Sequence, residues 1–168
     1  MALSNILSKL NWRLMVIHFI ACWFFIYAFQ QLSVLHDPEF FKEVRNIRSS
    51  AVQRRIFYNA IWFSFSADAG LLTGFIISLV LSIKHKWYWL NSVIAFVLIA
   101  LLKWFDLLGW DYLKHIFLKL GLLFKSNAEY FLANGLVMLV IGLCLFFMRW
   151  SIRFINGDKQ SLSTSSIS

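Results

Sequence analysis

Residues Ile61–Ile83 read IWFSFSADAGLLTGFIISLVLSI, an apolar run interrupted by one charged residue, Asp68. Wound as a helix, such a run covers the roughly 30 Å of a bilayer's hydrocarbon core, which takes about 20 residues. Three further runs share this character: Trp12–Leu35, Trp87–Trp104 and Tyr130–Trp150. Each is continuous, with no two-residue alternation. That pattern excludes an outer-membrane barrel, whose lumen-facing positions are polar. In lipid a helix satisfies its backbone groups within one segment. The expected fold is therefore an all-α integral membrane protein with four transmembrane helices in a bundle.

The rest of the sequence agrees. Of its 168 residues, 60% are hydrophobic and 14% charged, whereas soluble domains carry about 45–50% and about 25%. A disordered chain is excluded by the same excess, and a disulfide scaffold by the presence of only two cysteines. Cys22 and Cys144 sit in apolar runs and read as small hydrophobes. The first run is too long for the h-region of a signal peptide, about 7–15 residues. It ends in Ala28-Phe29-Gln30-Gln31 without a small-x-small site, so it reads as a retained helix. The net charge of +8 collects at span ends, where anionic lipid headgroups attract it, and no motif for nucleic acid is visible.

Between the spans, two short interfacial helices are expected. Asp37-Pro38-Glu39 pairs an N-cap with proline at the first helical position. It opens a segment in which Phe40, Val44, Ile47 and Ala51 share a face amid five basic residues. Leu113, Ile116, Phe117 and Leu120 give a second such face, and Ser126-Asn127-Ala128-Glu129 is a capping box ahead of the fourth run. Residues 1–155 thus form one membrane domain and 156–168 a disordered Ser-rich tail. Four spans put both termini on one side. Counting Lys and Arg gives seven on that side and nine on the other. The seven lie tight against the spans, which favours cytoplasmic termini.

Polar residues at membrane depth are the candidate site. Counted from the termini side, Asp68 lies about 22 Å up, Lys103 and Asn134 about 24 Å, and Gln30 about 27 Å. Four helices thus bring polar groups to one layer, and Asp68 paired with Lys103 would form an ion or solute pathway with Asn134 and Gln30. The bland alternative is that these groups tie the bundle together while Lys103 snorkels. His18, about 9 Å up, lies too low to join them.

Ser66, Gly70, Gly74 and Ser78 recur every four residues and form a small-residue seam for close helix packing, with Gly135 and Gly142 a sparser match. The seam would serve the bundle itself, a second copy or another membrane protein. Asp106, Asp111 and His115 are the catalytic candidates. Asp111 and His115 stand four apart on one helical face, as a base with its orienter or simply as a surface pair. No Cys or His completes a metal set, and only His18 is intramembrane, which argues against bis-His haem. Ser66-Ala67-Asp68-Ala69-Gly70 supplies one aspartate, but the facing second one of an intramembrane aspartic protease has no matching context. Neither metal nor cofactor is expected. A structural or accessory subunit ranks first, a small transporter or channel subunit second and a membrane-embedded lipid enzyme third.

Overall fold

The computed structural model describes residues 9–39, 50–105, 107–108 and 126–157. Those residues are helical, without a strand among them. Helix α1 spans Trp12–Leu32 and runs on into a 3-10 turn, Ser33–Leu35. It is followed by α2, Ser50–Lys84, α3, Leu90–Trp104, α4, Asn127–Phe147, and α5, Arg149–Asn156. Three of these are long and apolar enough to cross a membrane, over Trp12–Leu35, Arg55–Lys84 and Ala128–Phe147, while α3 is a shorter apolar helix.

Local chemistry sets the helix ends. Asn11 Oδ1 accepts from the N–H groups of Arg13 (3.0 Å) and Leu14 (3.2 Å), satisfying two orphan donors of the first turn of α1. Ser126 Oγ accepts from Glu129 N–H at 3.3 Å and caps α4. At the end of α2, Trp87 N–H reaches Ser82 O and Lys86 N–H reaches Ile83 O, a Schellman closure. Its left-handed position is held by Lys86, at φ 54°.

Helix α1 is the centre of the bundle. It packs against α2, α3, α4 and α5, and buries residues around most of its circumference, from Leu14 to Gln31. The register follows from close contacts. Gly74 meets Cys22 and Gly70 meets Phe25, so α2 runs antiparallel to α1; Gly142 meets Phe25 and Gly135 meets Leu32, so α4 does as well. His18 reaches Ser92 near the start of α3, which therefore runs parallel to α1. The main core joins Cys22, Phe25 and Ile26 to Leu71, Ile99 and Phe146, with one helix contributing to each side of α1.

Boundaries differ from the sequence reading in three places. The second apolar run belongs to a helix that already begins at Ser50, because Arg54 and Arg55 are good helix formers and nothing breaks the chain between them and Ile61. Trp87–Trp89 precede α3 instead of starting it. The fourth helix ends at Phe147: Met148 adopts an extended backbone (ψ 138°), and α5 begins after it as a separate amphipathic helix that buries Ser151 and Ile155. Residue 156 is thus the end of a helix, not the start of the tail. Pro38 and Glu39 are helical, but the remainder of the first interfacial segment, the whole second one and the tail beyond Gly157 lie outside the described residues.

Candidate functional site

Asp68 and Lys103 form an ion pair between α2 and α3. Its surroundings define its character. Ile61, Phe65, Leu72, Ile76, Val80 and Ile83 of α2 are all exposed, spaced three or four apart, and Asp68 falls in the same stripe. The carboxylate side chain is 57% exposed and that of Lys103 is 24% exposed. Asp68 stands about 22 Å from Ile83, and its partner Lys103 lies in the last turn of α3, so the pair sits in the half of the apolar stretch away from the α2–α3 turn. The pair therefore lies on the outer face of the bundle, ringed by apolar side chains.

The other two members of the layer are arranged differently. Asn134 is buried. Gln30 is half-buried and its carbonyl accepts from Ser33 Oγ (2.6 Å), while the neighbouring Gln31 turns inward and is 5% exposed. Leu32 touches Gly135 on the antiparallel α4, so Gln31 and Asn134 are offset by about 3 Å along the bundle. Gln31 Oε1 is buried without a hydrogen-bond partner. Gln30 and Gln31 face different directions because a one-residue step turns a helix by about 100°. At this end the Tyr27 hydroxyl donates to Leu108 O (2.5 Å), fastening the chain beyond α3 to α1.

The small-residue seam faces α1. A β-carbon at Gly70 would lie 2.5 Å from Phe25 O, and one at Gly74 would lie 3.0 Å from Cys22 Sγ. On the other side of α1, a β-carbon at Gly142 would come 2.7 Å from Phe25 Cδ2 and one at Gly135 2.8 Å from Leu32 Cγ. Both glycine sets thus let α1 be approached closely from two directions. Ser66 is half-buried, and Ser78 has a polar task.

That task belongs to a network which the sequence reading did not assemble. His18 Nδ1 lies 2.5 Å from Ser78 Oγ and 3.1 Å from Ser92 Oγ, and Ser92 Oγ lies 2.8 Å from Ser82 Oγ. All four residues are essentially inaccessible. Phe146 packs edge-on to the imidazole at 5.5 Å and Trp87 lies at 6.0 Å. The signal was present in the sequence: Ser78, Ser82 and Ser92 are polar positions on one side of two consecutive helices. Without a carboxylate orienting the imidazole among these contacts, the group is suited to binding three helices together.

Asp106, Asp111 and His115 lie outside the described residues. Among the described residues, no three His, Cys, Asp or Glu side chains come together as a metal site. Comparison with protein-family models, with curated proteins and with solved structures finds no match.

Proposed function

We propose that this chain is an integral membrane protein crossing the bilayer four times, with cytoplasmic termini, and that it acts as a structural or accessory subunit docking a helix of another membrane protein on its α2–α3 face. The observation that carries this reading is the outward Asp68–Lys103 pair within an otherwise apolar exposed stripe. A charge among apolar side chains at membrane depth is costly, by up to about 2.5–3.5 kcal/mol on insertion scales at the centre of a span and by less towards its end. Mutual pairing neutralises the two groups yet leaves polar atoms directed at hydrocarbon. A neighbouring helix bearing Ser, Thr, Asn or Gln at that level would satisfy them. The small-residue seam is occupied by α1, so it supplies no contact to a second protein. For the fourth crossing, α3 gives about 22 Å of helix, and the aromatic residues flanking it, Trp87-Tyr88-Trp89 before and Phe105 after, lengthen the apolar path.

A photo-crosslinking residue at Leu72, one turn from Asp68, tests the reading in native membranes. The expected result is a discrete protein adduct whose yield falls when Asp68→Asn and Lys103→Met are combined. Adducts with lipid alone, insensitive to those changes, would overturn it. A second reading, a small transporter or channel subunit, draws on Gln31 Oε1, buried without a hydrogen-bond partner among the described residues, and on the buried Asn134 of the next helix. It requires that a cysteine at Asp68 be labelled from water; protection there would exclude it.

A further inference from the structure

A cavity of about 620 Å³ opens at the end of the bundle where α1 begins, between the α2–α3 turn and α5. Among the described residues its lining includes Lys9, Asn11, Lys86, Trp87, Asn91 and Asn156, and no carboxylate. The three asparagines have fixed amide orientations, because each oxygen faces an obligate donor. Asn11 Oδ1 caps α1, Asn91 Oδ1 accepts from Asn11 N–H at 2.9 Å, and Asn156 Oδ1 accepts from Trp87 Nε1–H at 3.0 Å. The backbone carbonyls nearby are engaged too: Ile155 O accepts from Asn11 Nδ2 (3.0 Å) and Tyr88 O from Asn91 Nδ2 (2.8 Å). The side-chain amide oxygens in the wall are therefore spoken for.

Donors remain. Neither Lys9 nor Lys86 forms a salt bridge among the described residues, and Asn156 Nδ2 makes no hydrogen bond there. Helices α1 and α3 begin at this cavity with no acidic residue in the first turn, while α2 and α5 end beside it, so the helix ends offset one another and the two ammonium groups set the field. Lys86 also occupies the left-handed position of the Schellman closure, where glycine is the unstrained residue. Local folding alone would not select a lysine there.

We propose that this cavity binds a phosphate group, as the headgroup of an anionic lipid or as a free small phosphate, with Lys9 and Lys86 as its charge partners and Asn156 Nδ2 as a neutral donor. A tetrahedral anion with several acceptor oxygens matches a wall whose free side-chain groups are donors. Trp87 and Trp12 at the rim suit an amphiphile whose chains lie along the bundle. The site is independent of the helix-docking face, which lies towards the other end of α2.

Lys86→Gly is the informative variant, because it removes the amine while suiting the backbone. The full chain, purified in mild detergent, is titrated with phosphatidylglycerol, with phosphatidylcholine and with inorganic phosphate, and read by native mass spectrometry and tryptophan fluorescence. One phosphatidylglycerol per chain is expected, with affinity reduced about tenfold in Lys86→Gly and in Lys9→Gln. Lys84→Gln, whose side chain does not line the cavity, should bind as the unaltered protein does. Displacement of the lipid by inorganic phosphate would identify the free anion as a ligand; lack of displacement would assign the site to the lipid. Either supports a phosphate site. Equal binding of phosphatidylcholine, or unchanged affinity in both cavity lysine variants, would overturn it. Crosslinking from Leu72 reads the other face, so either idea can fail alone.

Discussion

Ser78 Oγ lies 2.5 Å from His18 Nδ1, a hydrogen bond between α1 and α2 with both residues only 1% exposed. With Ser92 Oγ at 3.1 Å from the same nitrogen, the imidazole joins three helices at one point. In an apolar interior an unsatisfied polar group is costly, so such a bond also selects the helix register. A double-mutant cycle with His18→Ala and Ser78→Ala, followed by unfolding in detergent, should give a coupling energy of about 1 kcal/mol. A coupling of zero would reduce the contact to packing.

Substitutions along the small-residue seam should differ in a fixed order. Gly70→Ala places a methyl group against the backbone oxygen of Phe25, which moves only if α1 moves. Overpacking of that kind costs about 1–3 kcal/mol. At Gly74 the obstacle is chiefly the Cys22 side chain at 3.0 Å, so Gly74→Ala should cost less, and Ser66→Ala, at a half-buried position, less again. Thermal unfolding in detergent checks the order. Gly74→Leu should unfold the single chain, because the seam is internal; dissociation of a folded oligomer instead would relocate the contact.

Most of the helical layout was legible in the sequence because apolar runs of this length have one solution in lipid. Depth was legible also: the rise per residue put Asp68 and Lys103 at one level, and they pair. Direction around each helix was not. Gln30 and Gln31 differ by about 100° of rotation, and only the packing of α1 decides which one turns inward. His18 was set apart because depth was compared with the Asp68 layer alone, while Ser78 was read for its size and not for its hydroxyl. The break at Met148 carries no proline or glycine, so it is imposed by the docking of α5 onto α1 and not by local propensity.

Helix α5 is held by polar clamps that can be removed one at a time. Trp87 Nε1 donates to Asn156 Oδ1, Asn11 Nδ2 donates to Ile155 O, and the Arg13 guanidinium lies over the Phe154 ring at 5.4 Å. Trp87→Phe keeps most of the ring and deletes the first clamp. Hydrogen exchange should quicken in the amides of Arg149–Asn156, by about five- to tenfold for the roughly 1 kcal/mol that one such bond contributes. The amides of α4 should be unchanged. Equal acceleration in both helices would mean that α5 opens only with the bundle.

The Asp68–Lys103 pair allows stability to be separated from partner binding. Lys103→Met leaves a carboxylate at membrane depth with no counter-charge, and Asp68→Asn leaves an ammonium that is better able to snorkel. The first should therefore be the more damaging, by about 1–3 kcal/mol in detergent or lipid unfolding. Exchanging the two charges, Asp68→Lys with Lys103→Asp, rebuilds a neutral pair on the same two helices and should recover most of that loss. A partner helix, however, would meet an ammonium where its polar group had faced a carboxylate. Crosslinking from Leu72 should consequently stay low in the exchanged protein although its stability returns. If stability and crosslinking recover together, the partner senses only polarity at this level. If neither single change lowers stability, the pair is hydrated, and the α2–α3 face is not packed against hydrocarbon at Asp68.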